Sequence, residues 1–164
     1  MSLDIMIEVR NKTDHSVILN RQFGRELINF SERGTGAVLC NILTYYGMPI
    51  ALFQDMNPWE FEKVSWEEMP EFDLSSIKSG MEQAWQSSDR LLRELNRLKK
   101  RLKKEPVSSK KFRFDDPRQQ RYFGGVESGP NTKNLSSDFE KDIEAMISML
   151  ERLESTDKVR FHYF

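Results

Sequence analysis

Apolar and polar residues alternate at the start of the chain, with Leu3, Ile5, Ile7 and Val9 set against Asp4 and Glu8. A period of two is that of a half-buried β-strand. Asn11-Lys12-Thr13-Asp14 then supplies the turn-forming residues that end it. The period changes next. Phe23, Leu27 and Phe30 recur at four and three residues, which predicts a helix closed by Gly34. Thr35 is placed to cap a second helix, nearly all apolar through Tyr46 and stopped by Gly47 and Pro49. A helix apolar on every side belongs in a core.

Residues 50–73 are less regular. Asn57-Pro58 and Ser65-Trp66-Glu67-Glu68 each resemble a helix start, so short helical turns carrying Trp59, Phe61, Trp66 and Phe72 over the core are expected. The strongest pattern follows. Ile77, Met81, Ala84, Ser88, Leu91, Leu95, Leu98 and Leu102 are spaced alternately by four and three, which predicts a long amphipathic helix at about 74–104. Asp73 or Ser75 can cap its start, Lys103 and Lys104 suit its C-terminal dipole, and Pro106 ends it. Trp85 and Leu92 make the stripe wider than a coiled-coil seam, so it reads as an intramolecular core face.

From about 106 to 132 the chain carries Ser, Gly, Pro and charges without periodicity, the pattern of a mobile, partner-facing loop. Ser137-Asp138-Phe139-Glu140 is a capping box opening a helix with Phe139, Ile143, Met146, Leu150 and Leu153 on one face. Val159, Phe161 and Tyr163 then alternate with Arg160 and His162 as a closing strand. Together these elements predict one α+β domain over residues 1–164, mostly helical. A small sheet would pair the N-terminal and C-terminal strands, with helices packed on one face.

Ser2-Leu3-Asp4-Ile5 and the following Leu19-Asn20-Arg21-Gln22-Phe23-Gly24 segment resemble a family of small bacterial and phage proteins. Members open with a Ser-Leu-Asp-Ile-Tyr-Leu-type strand and end in a helix followed by a short strand. The resemblance implies an α+β layout and no activity. This chain also lacks the histidine of the family's Asn-Ile-Thr-His-Asn-Leu segment.

Composition narrows the classes. The chain is 38% hydrophobic with eleven Phe and three Trp, too aromatic for a disordered segment. Its one cysteine, Cys40, lies in an apolar run, which excludes a disulfide framework within the chain. The opening residues do not form a signal peptide, and no apolar run reaches the ~18 residues of a membrane span. The expectation is a cytoplasmic protein without a membrane segment.

The formal charge of −1 conceals a strong asymmetry. Arg90 to Arg121 holds thirteen basic and four acidic residues, a net of +9, while Asp55 to Glu82 holds eight acidic and two basic, a net of −6. Within the basic run, Arg97, Lys100, Arg101, Lys104, Lys110, Lys111, Arg113, Arg118 and Arg121 are the candidate partner-binding residues. Three uses fit them. They form a solvated face answering the molecule's own acidic segment. They dock an acidic protein surface, where charge complementarity speeds encounter. Or they contact phosphates while Phe112, Phe114, Tyr122 and Phe123 stack on bases.

No recognised nucleic-acid motif accompanies the charge. Catalytic readings are thinner. Cys40 and His162 would make a nucleophile–base pair only within hydrogen-bond reach, and a cysteine in an apolar helix is ordinarily an inert buried thiol. Two histidines, His15 and His162, and one cysteine do not make a zinc site. Glu60, Glu62, Glu67, Glu68 and Glu71 read as an acidic surface, and Gly124-Gly125 lacks the context of a phosphate loop. The sequence therefore points to a non-enzymatic binding or regulatory protein without cofactor or metal. An acidic protein partner is the first expectation and nucleic acid the alternative.

Overall fold

A computed structural model describes residues 4–49, 53, 85–124 and 136–163. Their architecture is α+β, a four-stranded antiparallel sheet with helices on one face. In chain order the elements are β1 (Ile5–Val9), β2 (Lys12–Leu19), α1 (Arg21–Arg33), α2 (Val38–Tyr45), β3 (Gln86–Ser87), α3 (Ser88–Lys104), α4 (Pro117–Phe123), α5 (Asp138–Leu150) and β4 (Lys158–Tyr163). The sheet order is β2-β1-β4-β3. The two terminal strands pair as the alternation predicts, Ile5 opposite Tyr163 and Val9 opposite Val159.

Side-chain alternation sorts this sheet into two faces. Ile5, Ile7, Val9, Val159 and Phe161 point inward and are buried. Met6, Glu8, Arg160 and His162 occupy the intervening positions. The inward face meets Phe23, Leu27 and Phe30 of α1, the apolar side of α2, and Leu91, Leu95, Leu98 and Leu102 of α3. Phe53 joins this core with its ring 5.6 Å from Phe23 and 5.8 Å from Phe161. The remainder of the expected helical turns over 50–73 lies outside the described residues.

Helix ends follow local chemistry. The Ser137 side chain accepts from the Glu140 amide at 3.1 Å, as the capping box requires, and α5 buries Phe139, Ile143, Met146 and Leu150. Gly34 closes α1 at φ 54. Thr35 does not cap α2, because Gly34–Gly36 forms a 3-10 turn and the helix starts from Ala37.

Three expectations change. First, the long helix does not run through Trp85–Ser87. Gln86 and Ser87 pair with Val159 and Lys158 at the edge of β4, and α3 begins at Ser88. Ser87 caps it through its hydroxyl, which accepts from the Arg90 amide at 3.3 Å, and the Ser88 amide donates to Asp157 O at 3.1 Å. Hydrogen bonds at the sheet edge and a serine cap here outweigh the continuing apolar spacing. The part of that expectation over 74–84 falls outside the described residues.

Second, of Asn11–Asp14 only Asn11 lies in the turn that ends β1, and Lys12 to Asp14 already belong to β2. Asn11 takes φ 63 in a tight turn, and the chain reverses at once into β2. Third, residues 107–124 are not a loose loop. Asp116 accepts from the Arg118 and Gln119 amides at 2.8 and 2.9 Å, Pro117 sits in the first turn, and α4 buries Gln119, Tyr122 and Phe123. Val107 and Phe112 are buried as well. Apolar anchors every few residues hold a segment whose composition resembled a loop. Residues 125–132 of that stretch lie outside the description.

Candidate functional site

The buried side of α3 is its leucine stripe, and the opposite side is basic. Arg90, Arg93, Arg97, Lys100, Arg101 and Lys104 recur at three or four residues, apart from the adjacent pair Lys100-Arg101. At 3.6 residues per turn they fall within an arc of about 100°. Two of them are locally answered. Arg97 pairs with Glu94 at 2.7 Å, and Arg93 approaches Asp89 at 4.0 Å. Among the described residues, no carboxylate reaches Arg90, Lys100, Arg101, Lys103 or Lys104. The cations are thus displayed to solvent by the same turns that bury Leu91, Leu95, Leu98 and Leu102.

At its C-terminal end the stripe meets Tyr45, one of two large hydrophobic side chains left open among the described residues, at 46% exposure. The ring is held on several sides. Its hydroxyl donates to Glu105 Oε1 at 2.5 Å and accepts from Lys111 Nζ at 2.8 Å. It meets Tyr46 and Phe112 edge-on, each at 5.1 Å, and Lys111 Nζ lies 5.3 Å from the ring centre. Lys111 also pairs with Glu105. Beneath it, the Tyr46 hydroxyl donates to the Glu105 carbonyl at 2.7 Å, and burial pushes that phenol up to about 12.

Tyr45 is shared by two open concavities. One, of about 330 Å³, is lined by Val38, Asn41, Thr44, Lys111, Phe112 and Arg113. The other, of about 530 Å³, is lined by Tyr46, Gly47, Arg101, Lys104 and Glu105. Gly47 matters to the second. It takes φ +67, and a Cβ built there would lie 2.6 Å from Arg101 Nη1, so the guanidinium lies directly against the glycine.

The nine candidate residues therefore divide. Arg101, Lys104, Lys111 and Arg113 converge on Tyr45. Arg97 and Lys100 continue the stripe along α3. Lys110 is exposed beside them in sequence, and its amide donates to Ser108 Oγ at 3.2 Å. Arg118 and Arg121 are exposed on α4 and line neither concavity. The aromatic residues weighed for base stacking are mostly unavailable, because Phe112, Tyr122 and Phe123 are buried. Tyr45 takes their place in the surface. Its sequence signal was weak: a tyrosine in the last turn of an apolar helix, beside a buried tyrosine.

Sequence reasoning also missed a buried polar network. Glu26 is fully buried and accepts from Gln22 Nε2 at 2.8 Å and from Gln119 Nε2 at 2.9 and 3.1 Å. Tyr122 donates to Asp142 Oδ2 at 2.7 Å, and the Asn20 amide donates to Oδ1 at 3.0 Å. Burial raises both carboxyls above their ordinary range, against the pull of these donors, and raises Tyr122 well above that of a free phenol. Apart from the intrahelical Gln22 bond, the described partners of the two carboxylates tie α1 to α4, and tie α4 and the start of α1 to α5, so the network reads as structural cross-linking.

The Cys40–His162 pairing is not assembled. Cys40 is buried in α2 within the core, whereas His162 alternates to the sheet face opposite Phe161. There His162 Nδ1 lies 3.9 Å from Glu8, which also pairs with Arg160. Across the sheet, His15 joins Asp14, Ser16, Ser148 and Arg152 in a concavity of about 290 Å³ between β2 and α5. Among the described residues no three His, Cys, Asp or Glu side chains cluster as metal ligands, and no helix is long and apolar enough to cross a membrane. Glu60 to Glu71 lie outside the described residues. No protein-family model, curated protein or solved structure matches the chain.

Proposed function

We propose that this chain is a non-enzymatic binding or regulatory protein of the cytoplasm, and that the basic face of α3, with the 110–113 segment, docks an acidic protein partner. The observation that carries this reading is the row of cations from Arg90 to Lys104, set opposite the leucine stripe and largely without carboxylate partners among the described residues. Seventeen residues of helix present it over ~25 Å, a length suited to a protein surface. Long-range attraction to such a row speeds encounter and weakens as salt rises.

Nucleic acid is the second reading, favoured by the exposed Tyr45 ring among cations. Against it, carboxylates are threaded through the same surface: Asp89, Glu105 and Asp115, the last paired with Arg33 at 2.6 Å. Mixed charge complements a protein surface, whose own charges alternate, better than an unbroken line of phosphates.

The test is a capture experiment in native lysate with the wild type and a variant carrying Lys100→Glu, Lys104→Glu, Lys110→Glu and Lys111→Glu. Loss of a specific co-purifying protein in the variant is the expected result, and unchanged capture defeats the surface assignment. A salt titration against generic DNA and RNA separates the readings. A steep log–log slope favours the nucleic-acid alternative, and no retention at low salt eliminates it.

A further inference from the structure

We infer that Tyr45 is the anchor of this surface, receiving a short acidic peptide segment. An apolar side chain of that segment lies on the Tyr45 ring, with a carboxylate in each flanking concavity. One carboxylate meets Arg101 and Lys104, and the other meets Lys111 and Arg113. The inference rests on the acidic-partner reading above and names the part of the surface where binding energy concentrates.

Three observations on the page carry it. The first is fixation. An exposed aromatic ring ordinarily moves, and stilling it on binding costs conformational entropy. Tyr45 is already held by two hydrogen bonds through its hydroxyl and by edge-on contacts with Tyr46 and Phe112. A ring ordered before the partner arrives loses little when it does.

The second is the distribution of charge around the ring. The two concavities that share Tyr45 together hold four cations, Arg101, Lys104, Lys111 and Arg113, and one carboxylate, Glu105. That carboxylate is already engaged by Lys111 and the Tyr45 hydroxyl. Arg101, Lys104 and Arg113 have no acidic partner among the described residues, so their donors remain for a ligand. An apolar centre flanked by cations is the complement of an apolar residue flanked by Asp or Glu.

The third is the placement of Arg101. It lies against Gly47, where no side chain intrudes, and is half-buried. A guanidinium positioned this way offers two parallel N–H donors to a carboxylate, a geometry a lysine cannot reproduce. Tyrosine and arginine are also the residue types in which interface binding energy most often concentrates.

The experiment uses the full chain and two fluorescent probes: a synthetic peptide with one Leu flanked on each side by Glu and Asp, and oligo(dT). Anisotropy gives the peptide affinity at low salt. Tyr45→Ala is expected to weaken peptide binding about tenfold, the scale of a modest hot spot. Arg101→Lys is expected to weaken it severalfold with charge retained, and Tyr45→Phe, which keeps the ring contacts but loses both hydroxyl bonds, to weaken it less than Tyr45→Ala. Arg113→Gln alters only an exposed side chain, so it reads the same site even where Tyr45→Ala compromises folding.

If the peptide binds, and Tyr45→Ala, Arg101→Lys and Arg113→Gln leave its affinity unchanged while Arg93→Gln with Lys100→Gln weakens it, the anchor is wrong and the wider surface stands. Binding of oligo(dT) without the peptide overturns both in favour of nucleic acid. Binding of neither probe by the wild type overturns both outright.

Discussion

Tyr122 and Asp142 share a buried hydrogen bond, 2.7 Å from the phenol oxygen to Oδ2, and through it the short helix α4 is fixed to α5. The bond sits beside an aromatic cluster in which the Phe139 ring lies 5.8 Å from Tyr122 and 5.0 Å from Phe123. Replacing Tyr122 by Phe preserves those rings and removes only the donor. Asp142 then keeps the Asn20 amide and loses its other partner. The expected cost is about 1–3 kcal/mol, read as a lower denaturant midpoint with an unchanged slope. Wild-type stability in Tyr122→Phe would show that water reaches Asp142 in place of the phenol.

Glu26 makes a pH prediction. Burial raises its pKa from the ordinary 4.5, so the folded chain holds this proton more tightly than the unfolded chain. The associated stability is fully present below the unfolded pKa. It is lost as pH rises from that value through the higher folded one. Glu26→Gln abolishes the titration. Measured against wild type in urea, the variant should therefore gain relative stability as pH rises above the ordinary 4.5. A relative loss over that range would mean that the ionised form is the better stabilised one, held by Gln22 and Gln119.

Gly47→Ala should harm the molecule twice. Its φ of +67 is strained for any residue with a Cβ, at a cost of about 1–2 kcal/mol. The added methyl would also fall 2.6 Å from Arg101 Nη1 and displace the guanidinium. Thermal unfolding should report the first effect and peptide anisotropy the second. A variant with lowered Tm and intact peptide affinity would separate Arg101 from the anchor.

Trp85 lies beneath two guanidiniums, 4.6 Å from that of Arg160 and 5.8 Å from that of Arg10. Because it precedes the Ser87 cap, Trp85→Ala should destabilise by about 1–2 kcal/mol without shortening α3. Far-UV circular dichroism at low temperature should match the wild type. A clear loss of helical signal would place Trp85 inside a helix after all.

The regular elements were legible where one signal acted alone. Alternation at both ends gave β1 and β4 and their pairing, and Ser137 with Glu140 gave the start of α5. The apolar stripe was correct from Leu91 to Leu102 and misled at Trp85–Ser87. Ser88 fits the stripe's spacing yet is buried by bonding to Glu154 O at 3.1 Å, and Ser87-Ser88-Asp89 carries the better signal, a helix start. Asp116-Pro117 carried the same kind of signal for α4, hidden in a stretch rich in loop-forming residues. β2 was obscured because Thr13, Asp14, Ser16 and Ile18 face solvent and leave few inward apolar residues to mark it.

The candidate surface was legible only as charge. Linear order places Arg101 and Arg113 twelve positions apart, and nothing in it brings both to a tyrosine at position 45. The buried carboxylates did leave a trace. Glu26 stands three residues after Phe23 and Asp142 three after Phe139, each on the apolar side of its helix. A carboxylate in that position needs donors from elsewhere in the fold, and α4 supplied them.

The strand order has a consequence for how the chain comes to be folded. β1 and β4 are neighbours at the centre of the sheet, though Ile5 and Tyr163 stand near opposite ends of the sequence. On a ribosome the β1–β2 hairpin is made before the helices, and the edge of β1 that accepts β4 must wait until every element between them has been made. Such late, long-range pairing slows folding and leaves a strand edge open to wrong partners. Translation speed and chaperone supply should therefore govern the yield of this protein more strongly than they would for a helical bundle of the same length.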